Sequence, residues 1–440
     1  MSPQPHTAAR SLEVDPSGET LLRDGMPIFL LADTLWAAFS RMSMAEWREA
    51  LRLRRRQGFN AVNVSILPIA HDRSISRDDR SPFGLRADGS WDLDHLDDQY
   101  FRNARAMVQA AVAEDIIPIL VVLWCNYVPN TWGAARTPEA VLEDQQSDRY
   151  VRLVLDSFAD LNPIFCISGD DRFDDEIAVE RYRRTLRQVR DGAPHCLTTL
   201  HSTPDASLPP ELASDAALSY YSFQSGHDTG WQERPQQLAE HYRALPSTKP
   251  VVNMEPCYEG HAWGGGRGRH DSSSVRLASW TGVLAGAGAG LGYAAHGAWS
   301  WHRTGDDFTG AHFSGTPFPA PRALELPGAW DVGLLRRIVE EHRLFDLRNR
   351  DDLLADGSSG GRLGMSPRGD RAVLYLPSAF PVEVHADFAR WRLETWDLSK
   401  GRRDDVRRQD GNAVTRFEQP HFLGDALYVL MSPDPREELR

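Results

Sequence analysis

Residues 116–126 read Ile-Ile-Pro-Ile-Leu-Val-Val-Leu-Trp-Cys-Asn. The run from 116 to 124 has no polar residue in alternation, so it is not a strand with one face in water. It is also far short of the ~18 apolar residues a bilayer span needs. A short, β-branched run of this kind is what a parallel strand buried on both faces requires, and it ends on residues that carry chemistry. Seven similar runs flank it. They are Ile28–Ala32, Ala61–Leu67, Pro163–Ser168, Cys196–His201, Leu218–Phe223, Pro250–Met254 and Leu291–Ala295. Helical patterns fall between them at 43–57, 95–114, 145–159, 176–191, 233–244 and 274–287, with a final one at 328–343. Eight strands, each followed by a helix, predict an α/β fold, a closed (β/α)8 TIM barrel without edge strands.

The texture changes on either side of that alternation. Residues 12–26 predict a small hairpin around Pro16-Ser17-Gly18. After about Leu344 long helical patterns cease. Short runs at 371–376, 382–384, 391–396, 413–417 and 427–431 are separated by turn residues. Three regions are expected: an extension and hairpin over 1–26, the barrel over 27–345, and a small antiparallel β-sandwich over 346–440. The last region offers no catalytic cluster. It is expected to pack on the barrel and to stay out of the chemistry.

Lys and Arg number 49 against 62 Asp and Glu, a net charge of −13. An acidic protein is repelled by nucleic acid and by anionic membrane surfaces, so neither is an expected partner. A neutral carbohydrate is compatible. The N-terminal stretch MSPQPHTAARSLEVD has no apolar core of the secretory kind, and Cys125, Cys166, Cys196 and Cys257 form no CxxC pair. Both features predict buried, reduced thiols in a cytoplasmic protein.

Active sites of barrels gather at the C-terminal ends of the strands. Here those ends hold Asp33 and Trp36 after the first strand, Asn63 and His71 at the second, Trp124, Asn126 and Trp132 after the third, and Asp170 and Asp171 after the fourth. His201 ends the fifth. Tyr221, Gln224 and His227 belong to the sixth, Glu255 and Glu259 to the seventh, and His296, Trp299, Trp301 and His302 to the eighth. Glycoside hydrolysis needs one protonated carboxyl for the leaving oxygen and one ionised carboxylate for the anomeric carbon or its water. Asp170 and Glu255, across the barrel mouth from each other, suit those needs, with Asp171 an alternative one residue along. Trp faces and directional Asn, Gln, Tyr and His groups suit a sugar ring and its hydroxyls. No close His pair of metallohydrolase spacing and no glycine-rich phosphate loop occurs, so neither metal nor cofactor is expected. The competing reading is a non-catalytic carbohydrate-binding protein on a degenerate barrel.

Several of these pieces, in this order, resemble the apiosidase-like glycoside hydrolases, a group first described as a domain of unknown function. They are Ala32-Asp33-Thr34-Leu35-Trp36, Gln57-Gly58-Phe59-Asn60, Ser168-Gly169-Asp170, Gln224-Ser225-Gly226-His227, Glu255-Pro256-Cys257-Tyr258-Glu259, and Gly290-Leu291-Gly292-Tyr293 through Trp299. The resemblance implies a retaining TIM-barrel glycosidase with the strand-four aspartate as acid/base and the strand-seven glutamate as nucleophile. Those roles fall on Asp170 and Glu255. It also implies a C-terminal β-domain of the type described as collagen-binding. The family commonly shows Gly-Gly-Asp where this chain has Ser168-Gly169-Asp170, and the extra Asp171 keeps the acid assignment open by one residue. An exo-acting enzyme on a glycoside or short oligosaccharide, a furanoside among the options, is the expected activity. Retaining enzymes hold their carboxyls about 5–5.5 Å apart, and that class is expected here.

Overall fold

The computed structural model describes residues 11–263, 266, 268–355, 360–411 and 413–433. The first ten residues of the N-terminal stretch, and positions 264, 265 and 267 of the glycine-rich stretch, lie outside them. Eight parallel strands form the centre: β1 (Leu30–Thr34), β2 (Ala61–Ser65), β3 (Ile117–Trp124), β4 (Ile164–Gly169), β5 (Thr198–Thr199), β6 (Tyr221–Gln224), β7 (Val251–Glu255) and β8 (Gly290–Tyr293). Their order is β5-β4-β3-β2-β1-β8-β7-β6. The remaining seam, between β5 and β6, is stitched by Ser219 N donating to Thr198 O at 3.0 Å and by Ser222 Oγ donating to Leu200 O at 2.6 Å. All residues of β3 are buried, as the unbroken apolar run predicts.

Helices Met44–Arg56, Asp98–Ala113, Asp144–Phe158, Glu176–Gly192, Arg234–Arg243, Ser272–Leu284 and Gly328–His342 pack outside the strands. The connection from β5 to β6 holds only the single turn Pro210–Ala213. Pro204, Pro209 and Pro210 explain the shortness, since proline lacks the donor a helix interior needs. The N-terminal hairpin gains a third strand and becomes a meander of Leu12–Val14, Leu21–Arg23 and Met26–Ile28. Its second turn is Asp24-Gly25, with φ of 52° and 77°, the paired left-handed geometry of a tight hairpin.

The C-terminal β-rich domain has two antiparallel sheets. The larger runs Arg348–Asn349, Arg362–Met365, Arg371–Leu376, Ala426–Met431, Arg392–Asp397, Arg402–Asp404 in spatial order. The smaller runs Val382–Val384, Val414–Phe417, Arg408–Gly411. Strand Arg371–Leu376 is apolar on both faces because both are covered. Ala372, Leu374 and Leu376 face the smaller sheet, with Val384 and Phe417 in the same core. Val373 and Tyr375 join the barrel core with Trp396, Leu427 and Val429.

One buried charge cluster ties the two parts together. Arg276, on the helix after β7, donates from Nε to Asp425 Oδ2 and from Nη1 to Asp331 Oδ2, both at 2.6 Å. Asp425 is only 4% exposed. Removing a single partner of a buried pair strands the other charge away from water, at a cost of about 3–5 kcal/mol. Arg276→Ala is therefore expected to lower unfolding stability by about 3 kcal/mol, and Arg276→Ala/Asp425→Asn less than the two singles added. Denaturant titration of the three variants checks this. An additive pair of losses would contradict it.

All four cysteines are buried free thiols. Among the described residues no helix is long and apolar enough to cross a membrane.

Candidate active site

The end of β4 is shaped by two backbone choices. A Cβ on Gly169 would lie 2.2 Å from the Trp124 ring, so only glycine lets that indole lie against the strand end. The next residue, Asp170, has φ of 56°, in the left-handed region that aspartate tolerates better than most. Strain of this sort collects at functional sites. The turn sends the two neighbouring aspartates in opposite directions. Asp170 lines the cavity at the barrel mouth, and its backbone carbonyl accepts from Trp132 Nε1 at 2.7 Å. Asp171 folds back, accepting from Phe173 N at 2.6 Å and from Tyr182 OH at 3.2 Å, and is 2% exposed.

Glu255 ends β7 and lines the same cavity, a space of about 100 Å³. Its Oε1 accepts from Gln224 Nε2 at 2.9 Å and from His227 Nε2 at 3.0 Å. The backbone N of Tyr258 donates to His227 Nδ1 at 3.1 Å, which fixes the tautomer with the proton on Nε2. His201 Nε2 sits 3.2 Å from Oε2, a close polar contact without good hydrogen-bond alignment.

These surroundings drive the two carboxyls apart. Burial pushes both upward. At Glu255 that is outweighed by the contacts from His201 and His227, which bring it down to about 2. Among the described residues Asp170 has no such donors. Burial, then the charge of Glu255, then the charges of Asp72, Asp171 and Asp205, raise it well above the usual carboxylate range. His71 does not counter this. Its Nδ1 meets Asn126 Oδ1 at 2.9 Å, its Nε2 stays 3.9 Å from Asp170 Oδ2, and burial pushes its pKa down. Asn126 is held in the accepting orientation by its own donation to Thr137 Oγ1 and Gly133 O. Burial and the neighbouring charges thus favour the protonated form of Asp170 while the histidine contacts favour the ionised form of Glu255, the division that acid–base chemistry on a bond between them needs.

Of the residues singled out in the sequence, Trp36, His71, Trp124, Asp170, Gln224, His227, Glu255 and Trp299 line this cavity. Trp36 and Trp124 meet edge to face at 5.1 Å, and His201 and Asn126 stand directly behind. The others are placed elsewhere. Asp33 turns outward to Arg54 Nε at 2.8 Å. Asn63 donates to Thr34 Oγ1 inside the barrel. Tyr221 OH donates to the carbonyls of Ala213 and Ser247. Glu259 accepts from Tyr293 OH and Gly328 N, and burial raises it to about 7. His296 contacts Gly315 O at 2.9 Å, and Trp301 donates to Glu46. Asp171 points away on the helix side of the β4 turn.

The cavity also contains residues the strand-end reading passed over: Asp72, Tyr258, His261 and Phe313. Tyr258 accepts from Trp36 Nε1 at 3.1 Å, and its place three residues after Glu255, inside the Glu255–Glu259 motif, was the available signal. Asp72 sits on a loop and Phe313 on the single helical turn Ala311–Ser314 of the long connection after β8, where spacing carries no signal. On the Asp170 side the cavity opens into a wider one of about 430 Å³, flanked by Trp132, Arg136, Arg172 and Asp205.

A family model described as apiosidase-like, catalytic domain matches residues 17–346. A search of curated proteins found no match. Solved structures similar to this chain include one described as a glycoside hydrolase, 18% identical over 98% of this chain and 99% of that one, with a TM-score of 0.79. A glycoside hydrolase family 5 protein from Bacteroides vulgatus is also 18% identical, over 96% and 93%, with a TM-score of 0.79. An alpha-amylase from Lactobacillus plantarum is 11% identical over 91% and 98%, at 0.53. At these identities the likeness is one of fold.

Proposed function

The chain belongs to the apiosidase-like family of glycosidases, and from that premise we propose a retaining, exo-acting hydrolase in which Asp170 is the acid/base and Glu255 the nucleophile. One observation carries the reading: two carboxyls share a cavity whose donors favour the ionised form of one while burial and its neighbour favour the protonated form of the other. In the first step Glu255 attacks the anomeric carbon and Asp170 gives its proton to the departing oxygen. In the second, Asp170 takes a proton from water, which displaces Glu255 with overall retention. A binding protein on a degenerate barrel would have no use for that split.

The size and sequence of the spaces support exo action. The carboxyl pair stands in the smaller cavity, and Asp170 also borders the wider one. A terminal sugar would fill the first, with its leaving group passing Asp170 into the second. The C-terminal domain packs through Val373, Tyr375 and Trp396 against the barrel and, among the described residues, lends none to either cavity, which supports a purely structural part for it.

A panel of 4-nitrophenyl pyranosides and furanosides tests this reading, with proton NMR of the first product. Release of nitrophenol with the anomer unchanged is expected. An inverted first product would sink the two-step mechanism, and no cleavage across the panel would sink the exo reading.

A further inference from the structure

Asp72 stands where three cavities meet. It lines the carboxyl cavity, the wider one beyond Asp170, and a third of about 90 Å³ beneath Trp36 and Trp299. It is half-buried, and among the described residues no hydrogen bond or ion pair engages its carboxylate. Apart from Asp170, most acids around it are engaged. Glu255 has Gln224 and His227, Asp171 has Phe173 N and Tyr182, and Asp79 and Asp306 share Arg41. A carboxylate accepts hydrogen bonds only and has about four lone-pair sites, so a partly desolvated one without donors costs free energy until donors arrive. Its mouth position selects donors on a ligand.

The rest of the lining says what kind of ligand. Asp72, Asp170 and Glu255 are the acids around the small cavity, and among the described residues no Arg or Lys lines it. Of the histidines there, burial pushes His71 down and His261 well down, while His227 accepts from Tyr258 N and turns its Nε2 to Glu255. A carboxylate, sulfate or phosphate on the bound sugar would meet the like charge of Asp72 and Glu255 with no Arg or Lys among the described lining residues to offset it. Uncharged hydroxyls, by contrast, donate to a carboxylate in charge-assisted hydrogen bonds.

We infer that the glycone pocket takes a neutral sugar and that Asp72 is a binding residue accepting hydrogen bonds from its hydroxyls. This deepens the glycosidase reading and rests on it for the assignment of the small cavity to the glycone.

The test compares wild type, Asp72→Asn and Asp72→Ala on a cleaved 4-nitrophenyl glycoside, on its uronide, and on its monodeoxy analogues. Thermal melts of all three proteins should agree closely, since no protein partner is lost. Wild type should prefer the neutral glycoside over the uronide by about 100-fold or more in kcat/KM. Asp72→Ala should lower kcat/KM on the parent about 10–100-fold, mainly through KM, the range a hydrogen bond to a charged group spans. On the deoxy analogue that lacks the bonded hydroxyl, it should add almost nothing. Asp72→Asn should retain part of the affinity.

An unchanged KM in both variants, or equal use of the uronide, overturns the inference while leaving the carboxyl mechanism standing. Full activity in Glu255→Gln overturns the mechanism itself. If no aryl glycoside is cleaved, quenching of tryptophan fluorescence by free neutral sugars and by uronic acids decides the same question. Neutral sugars must bind wild type better than Asp72→Ala. Binding of uronic acids as tight as that of neutral sugars, or no binding of either, overturns it.

Discussion

Glu255→Gln is expected to abolish turnover, by roughly 10⁴-fold or more, in a protein that folds normally. The substitution is close to isosteric. A carboxamide is a poor nucleophile and cannot form the glycosyl ester, so the first step has no route. The hydrogen-bonding survives. The new side-chain carbonyl can take the place of Oε1 and accept from Gln224 and His227 as before. Its amide would face His201, whose Nδ1 has no partner among the described residues, so that ring can shift its proton and accept at Nε2. The charge change has two further consequences. Glu255 lies below its ordinary 4.5, so its contribution to stability is present above that value and is lost as pH falls toward about 2. Asp170 lies above its ordinary value, so its contribution is greatest below 3.8 and fades as pH rises. Removing the Glu255 charge takes away the largest charge pressing on Asp170, whose titration should move down in pH. Carboxyl infrared bands of the variant, compared with wild type, report that shift. Wild-type rates in Glu255→Gln would place the nucleophile elsewhere.

How much of this was legible in the sequence follows physical lines. The barrel was, because strands covered on both faces must be apolar throughout, as in 117–124, and their spacing leaves room only for helices. The two carboxyls were, because an acid directly after a buried strand, before Pro256 or in Gly169-Asp170, has few ordinary uses. Direction was not. Asp33 and Glu259 also stand near strand ends, yet one meets Arg54 of the first barrel helix and the other meets Tyr293 of β8 and the N-terminus of helix Gly328–His342. Periodicity of two cannot say which end residue turns inward once the strand has ended and the chain bends. Loop residues were invisible for a related reason. Asp72, Phe313 and His261 reach the cavity through tertiary placement of the connections that follow the strands, with Phe313 meeting His261 at 5.5 Å. The third N-terminal strand was overlooked although Asp24-Gly25 is a strong hairpin signal, because its strands are three residues each and carry little pattern.

The Asp170→Asn and Asp171→Asn variants should part company, and their difference decides which aspartate serves as acid/base. With a nitrophenyl glycoside the leaving group departs with little protonation, so Asp170→Asn should still form the glycosyl-enzyme. It should then stall, because the group that must deprotonate water is gone. A burst of nitrophenol of about one equivalent, followed by a steady rate lower by about 10²–10⁴-fold, is the expected trace, the usual span for loss of a general acid–base. Azide should restore the rate and yield a glycosyl azide of retained configuration, since a small anion attacks without a base. On a glycoside with a poor leaving group, the first step itself should fail. Asp171→Asn should show none of this. Asp171 is tied to Phe173 N and Tyr182 OH, and burial raises it to about 6, so its task is to hold the turn after β4. An asparagine oxygen can still accept from Phe173, which limits the loss to about 1 kcal/mol of stability with activity within a few-fold of wild type. Should azide rescue Asp171→Asn and leave Asp170→Asn unrescued, the acid/base role moves one residue along. Should neither variant lose activity on a cleaved glycoside, the end of β4 holds no acid/base at all.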